Sequence, residues 1–331
     1  MKKTKLSLAV AGLMLASAVI MSSCAKKATT TPTSDTSTTS STDNNTAQQS
    51  AHDITNIGSQ GIENNNGSLS TYRTTQGGGM FGPLSTSVTV VINTSAKNMT
   101  VTFNSYMGYD GHLRNGTIYY DWSASTNNAV WYRDSGLVLN VTTPNVGGTV
   151  YTVDGNTVHI NTKTIKNIGR VNGQLTWTDN SDIVITKTAA NGGGTILWNA
   201  QWNIALLNTS AYTSTNFDGT ATSHTYPGVF NGYGGTVANS INWAQALVAV
   251  SSTNFSGTAS DGETYSGNIQ AGSPLVLNLN CTPYWSKYLY VSGVLNFTPT
   301  GKATRTINYG NGVCDLSYVV SIGSYSITIT L

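Results

Sequence analysis

Charge is scarce in this sequence. Asp, Glu, Lys and Arg make up 9% of the 331 residues and nearly cancel, leaving a formal net charge of +2. A nucleic-acid surface needs clustered Lys and Arg, and the region beyond residue 83 has no such cluster. Histidine is equally thin: His52, His112, His159 and His224 are scattered, with no HExxH spacing that would place two metal ligands on one helix face. No G-x-S-x-G elbow occurs. The glycines of NGYGG (Asn231–Gly235) and YGNG (Tyr309–Gly312) are not followed by the helix whose N-terminus would hold a phosphate. Zinc hydrolases, serine hydrolases of the α/β type and phosphate-loop enzymes are set aside on these grounds, and no metal or cofactor is expected.

Carboxylates are the remaining catalytic candidates, because all-β folds host glycosidases that work with two of them. Beyond residue 83 the only glutamate is Glu263, accompanied by nine aspartates. Asp110, Asp154, Asp179, Asp182, Asp218 and Asp261 stand in turn-like contexts, where Asp is favoured by its bond to the local backbone. Asp121 in YYDW and Asp134 in WYRD lie instead in strand-like, aromatic surroundings. They are the pair a polysaccharide-acting hydrolase would use, although Arg133 beside Asp134 fits a plain surface ion pair equally well. No catalytic residue is assigned.

Cysteine is rare too, and informative in its placement. There are three, Cys24, Cys281 and Cys314. MKKTK, an apolar run from Leu6 to Met21 and two small serines precede Cys24. A basic start, a short apolar stretch and small residues at its end make an export signal. The run is shorter than the roughly 20 residues that comfortably span a bilayer. MSSC resembles the lipobox of bacterial lipoproteins, in which the cysteine becomes the first mature residue and carries lipid; Met21 stands where that motif usually has Leu. The resemblance implies a signal peptide over 1–23 and lipidation at Cys24. Export to an oxidising compartment leaves Cys281 and Cys314 to pair with each other. Such a bridge removes roughly 3–4 kcal/mol of unfolded-state freedom in the chain-entropy description.

What is abundant divides the chain in two. Residues 24–83 are dominated by Ser, Thr, Asn, Gln and Gly, a composition that reads as a disordered tether. About 55 such residues span roughly 40 Å root-mean-square. From 84 to 331 apolar residues alternate with Thr, Ser and Asn, as in MTVTF (Met99–Phe103), GTIYYDW (Gly116–Trp122) and the closing SYSITITL. This is the period-two pattern of half-buried strands, and Asp154-Gly155 is the strongest hairpin turn signal. QLTW and DIVIT are expected to flank a turn over Asp179–Asp182, and WAQALVAV (Trp243–Val250) is ambiguous between helix and strand. The fold class is therefore all-β: a large antiparallel sheet or β-sandwich-like body. TNFDGTATSHTYPG (Thr215–Gly228) matches TNFSGTASDGETYSG (Thr253–Gly267), each preceded by a Trp, which reads as an internal duplication near 202–228 and 243–267. The 17 tyrosines and 7 tryptophans either pack across strands or form exposed rows able to stack on sugars.

The segment VSGVLNFTPTGKATRTINYGNGVCD (Val291–Asp315) continues to an alternating terminal strand and resembles the end of an uncharacterised all-β lipoprotein family of Bacteroidota. The matching positions are Pro299, Gly301, Lys302, Arg305, Thr306, Gly310, Gly312, Cys314 and Asp315, whereas Asn308, Tyr309 and Asn311 replace the more usual Asp, Phe and Asp. Asp110, Gly111, Arg114 and Gly116 match that family's DGxxRxG segment. The resemblance implies an address and an architecture, with no activity to carry over. The expectation is a non-catalytic cell-envelope protein, anchored in the outer membrane through lipidated Cys24 and facing either the periplasm or the surface. Its partner would be a glycan or an envelope protein met by an exposed sheet face or loops, with no role for nucleic acid.

Overall fold

The structure, a computed structural model, describes residues 35–65, 87–93, 95–108, 111–126, 135–144, 149–207, 247–278, 281, 290–315 and 317–330. From Thr36 onward they belong to one compact unit. Among the described residues one α-helix, α1 (Thr39–Asn65), precedes fifteen strands, with a single 3-10 turn at Ala189–Asn191 between two of them. These are β1 (Val88–Asn93), β2 (Asn98–Met107), β3 (Leu113–Asp121), β4 (Val138–Thr142) and β5 (Thr152–Val153). Next come β6 (Asn156–Val171), β7 (Gln174–Thr186), β8 (Thr195–Leu206), β9 (Leu247–Thr258) and β10 (Thr264–Ile269). The chain ends with β11 (Leu275–Asn278), β12 (Ser292–Pro299), β13 (Arg305–Asn311), β14 (Ser317–Ile322) and β15 (Tyr325–Thr330).

All fifteen join one antiparallel sheet, as the alternating pattern implies. Its main path has thirteen strands in the order β1-β2-β3-β4-β6-β7-β8-β9-β10-β12-β13-β14-β15, with β5 beside β3 and β6, and β11 beside β9 and β12. Asp154 and Gly155 form the two-residue turn between β5 and β6, both at positive φ (50° and 81°), as a type I′ hairpin requires. Two expectations change here. Asp179–Asp182 is not a turn: β7 runs unbroken from Gln174 to Thr186 in register with β6 and β8. The ambiguous WAQALVAV resolves, from Leu247 on, into strand β9. Of the duplication, Thr253–Gly267 lies in the β9–β10 hairpin, while Thr215–Gly228 lies outside the described residues.

One face of the long strands is buried and largely apolar, including Met99, Val101 and Phe103 of β2, Ile196, Trp198 and Trp202 of β8, and Phe297 of β12. The opposite face of β7 and β8 carries Thr178, Asn180, Asp182, Thr195, Asn199, Gln201 and Asn203. Hydroxyls and amides dominate that outer face, in contrast to the apolar band a membrane barrel presents.

The largest correction concerns the tether. Within the stretch 24–83, residues 39–65 form a helix of 27 residues that enters the core. Ala47, Ala51, Ile54 and Ile57 are buried with the strand residues, and so are Ser40, Ser41, Asp43, Asn44, Asn45, Gln48 and Asp53. Ser, Thr, Asn and Gly are weak helix formers, and Thr46, Ser50 and Thr55 turn their hydroxyls onto the carbonyls four residues back. Packing, not propensity, holds such a helix. Its neighbours come from β1, β2, β7 and β8. Hydrogen bonds or ring contacts add β3 and the segments just before β10 and β12, and Arg305 of β13 reaches Ser37, two residues before the helix. The sheet is thus rolled around α1.

Candidate functional site

Helix and sheet meet through a set of buried polar contacts that composition gave no reason to expect. Asp43 accepts hydrogen bonds from the Ser260 backbone N–H (2.7 Å) and Oγ (2.6 Å), and from Lys187 Nζ (3.2 Å). The Trp198 indole donates to Asn44 Oδ1 at 3.0 Å. Asp53 receives Arg114 through Nη2 (2.8 Å) and Nε (3.1 Å), a two-pronged pair with Arg114 1% exposed. Tyr151 donates to the same carboxylate at 3.4 Å, and Tyr120 to the Ile54 carbonyl at 2.7 Å. Gly58 completes this end: a Cβ there would stand 2.4 Å from Cε1 of Tyr120, so only glycine lets helix and ring approach so closely.

Both arginines of the DGxxRxG and GKxxRT segments serve this interface. Arg114 holds Asp53, and Arg305, fully buried, donates to the Ala303 carbonyl (2.6 Å) and the Ser37 carbonyl (3.4 Å). A planar guanidinium with several fixed donors suits such a clasp. Two distant segments of the chain therefore converge on the residues just before and within α1.

Further along the helix His52 lies against Trp202 (centroids 5.1 Å apart) with its Nε2 2.7 Å from the Tyr290 hydroxyl. Burial, reinforced by the Lys163 charge, lowers its pKa from 6.5 to about 4, so the ring is neutral at pH 7. Beneath it Lys163 Nζ bonds Asp179 Oδ2 (2.6 Å) and Ser181 Oγ (3.0 Å), and Ser181 donates to Asp179 Oδ1 (2.7 Å). Removing charges from water is costly unless they are paired and hydrogen-bonded, which is why Asp179 and Ser181 sit within a strand and not in a turn. Tyr290, Tyr309 and Tyr318 continue the wall as ring contacts at 5.2 and 5.6 Å. Burial raises all three phenol pKa values. Gln48 is 1% exposed and, among the described residues, neither end of its amide has a hydrogen-bond partner.

The structure distributes the candidates suggested by sequence as follows. Cys281 and Cys314 are bonded to each other, with Cα atoms 5.4 Å apart, joining the segment after β11 to the one after β13. Cys24 and Asp134 lie outside the described residues. Asp121 is exposed at the end of β3 and accepts from the Ser123 N–H at 2.8 Å, a local turn contact. His112 pairs with Asp154 at the surface, and His159 contacts Thr143. The tyrosines with described side chains pack inward with few exceptions: Tyr290 is 4% exposed and Tyr119, at 43%, faces solvent. The exposed aromatic row considered for sugar stacking is not formed by Tyr290, and Tyr288 lies outside the described residues. Sequence reasoning misses Asp43, Asn44, Gln48, His52 and Asp53 as site residues. The available signal is Ala47, Ala51, Ile54 and Ile57, apolar at helical spacing within a polar stretch.

No protein-family model matches the chain, and no curated protein or solved structure matches it. Among the described residues no group of three His, Cys, Asp or Glu side chains could hold a metal, and no helix is long and apolar enough to cross a membrane.

Proposed function

We propose that this is a lipid-anchored envelope protein, exported and acylated at Cys24, that acts by binding through its folded body and not by catalysis. The observation that carries the reading is the division of the cysteines: Cys281 and Cys314 are joined, which leaves Cys24 of MSSC as the one cysteine available for lipid. A disulfide also accords with an oxidising compartment. The buried ionisable groups add support for a non-catalytic role. Lys163, Asp179, Asp53 and Arg114 are engaged with one another or with hydroxyls inside the core, where they serve packing. On this reading 15 residues separate Cys24 from the start of α1 at Thr39, a reach of at most about 54 Å for any course of the chain. The body would then stay close to the outer membrane, whichever side it faces.

Mass spectrometry of the mature protein tests this. The expected result is an N-terminal cysteine at position 24 carrying acyl chains, with Cys24→Ser releasing the protein from the membrane fraction. A free or disulfide-bonded Cys24 in membrane-associated material would overturn the reading.

A further inference from the structure

A lysine stands where the core of the sheet is otherwise apolar. Lys163 of β6 is 1% exposed, and lysine is almost never so deeply buried unless paired. The alternation of its own strand would put it outside. Val158 and Ile160 face the core, so an unbroken strand would turn position 163 to solvent. The pairing of β6 with β7 instead shifts between Ile160 and Thr162. Asn161 and Thr162 are both exposed, and Lys163 and Ile165 take over the inward face. A bulge of this kind re-aims a side chain and is over-represented beside active sites. Here it delivers one primary amine to the interior.

The amine meets a carboxylate already held in place. Asp179 of β7 pairs with Ile165, two residues from Lys163, and such a diagonal neighbour is within reach of a long side chain. Lys163 Nζ lies 2.6 Å from Asp179 Oδ2, with both side chains buried. Ser181, directly opposite Lys163, supplies the third point. Its Oγ accepts from Nζ at 3.0 Å and donates to Asp179 Oδ1 at 2.7 Å. The two carboxylate oxygens are therefore unlike. Oδ2 faces the amine, Oδ1 is polarised by a hydroxyl, and the electrophilic Cγ lies between them.

Energetics favour a reaction between such groups. Two charges withdrawn from water are costly even when paired, and a neutral amide joining the same side chains removes that cost. Reactants locked side by side attain effective molarities of about 10⁵ M or more. A hydroxyl aimed at the oxygen where negative charge develops lowers the barrier further. The site is also dry: His52, buried and close enough to feel both charges, stacks on Trp202, which is 2% exposed. Water that would reverse the step is kept away.

We propose that Lys163 and Asp179 condense, once the chain has folded, into an amide that ties β6 to β7 through their side chains. One proton of the ammonium passes to Oδ2, and the nitrogen lone pair attacks Cγ. Oδ1 carries the negative charge against the Ser181 hydroxyl. As the Cγ–Oδ2 bond breaks, the nitrogen gives up a second proton and Oδ2 departs as water, leaving a C–N bond and one N–H. No oxidant, cofactor or second chain takes part. The product crosslinks the two longest described strands, of 16 and 13 residues, which are adjacent within the sheet. It is a single event inside the chain, independent of lipidation at Cys24 and of any binding by the body.

Peptide mapping of the full chain, folded and then denatured and reduced before trypsin, tests this. Trypsin does not cleave after an acylated lysine. The expected product is therefore fragment 134–166 joined to fragment 171–187, lighter by one water than the two together. Fragmentation should place the bond between Lys163 and Asp179. In Asp179→Ala, and in native-sequence chains synthesised and held in denaturant, Lys163 should be cleaved and the linked product lost. Folded native protein in which trypsin cleaves after Lys163 and fragment 171–187 appears free overturns the proposal. So does a bond that maps to Asp182, persists in Asp179→Ala or is already present in chains that never folded.

Discussion

The N-terminal helix and the C-terminal strand invert what their compositions suggest. TSSTDNNTAQQSAHDITNIG is polar and contributes Ser40, Ser41, Asn44 and Gln48 to the fully buried interior, whereas the β-prone YSITIT leaves Ile327 more than a third exposed. What separates them is the supply of partners. Rolled around the helix, the sheet offers Asp43, Asn44, His52 and Asp53 specific donors and acceptors, so their burial is offset by hydrogen bonds. The terminal strand has a neighbour on one side among the described residues, so its apolar residues stay half-covered. Burial follows the topology of partners more closely than hydropathy.

Breaking the helix's strongest contact should have the largest effect. Arg114→Met leaves the Asp53 carboxylate buried without its ion partner, and we expect a loss of about 3–5 kcal/mol in urea denaturation. Were residues 39–65 a solvated tether, the same substitution would change stability little.

Acid probes the same interface through His52. Its pKa is about 4 folded against 6.5 for the unfolded ring, so the unfolded state binds more protons between those values. The resulting stability is fully present above pH 6.5 and falls as pH drops toward 4, by about 3 kcal/mol at most. Denaturation midpoints measured across that window should decline, and His52→Gln should flatten this part of the decline.

Gly58→Ala sharpens the comparison by its sign. In a free helix alanine stabilises by about 1 kcal/mol over glycine. Against Tyr120, with Cε1 2.4 Å from the added Cβ, it should instead destabilise by about 1–3 kcal/mol. The smallest effect is expected at Gln48, whose buried amide lacks partners among the described residues. Gln48→Met keeps the length, removes the desolvated amide and should raise stability by about 1 kcal/mol in thermal unfolding.

The alternation in β2, β3 and β15, the Asp154-Gly155 hairpin and the Cys281–Cys314 pair are legible because each rests on local spacing or on elimination among few candidates. The β7 segment misleads because DNSD has turn-forming residues, and the Lys163 that stabilises Asp179 and Ser181 within a strand is sixteen residues away. The helix misleads for a related reason: its core stripe is two alanines and two isoleucines, too small to stand out among Ser, Thr and Asn. Its polar residues are meaningful only against Arg114, Trp198 and Tyr290, which the chain places 61 to 238 residues distant.

The central claim is that residues 39–65 form the inner support of the sheet. Native-state hydrogen exchange at the amides of Asp53, Ile54 and Ile57 tests it most directly. The account predicts exchange as slow as in β7 and β8, governed by global unfolding; exchange within seconds, at the rate of an unstructured peptide, would contradict it.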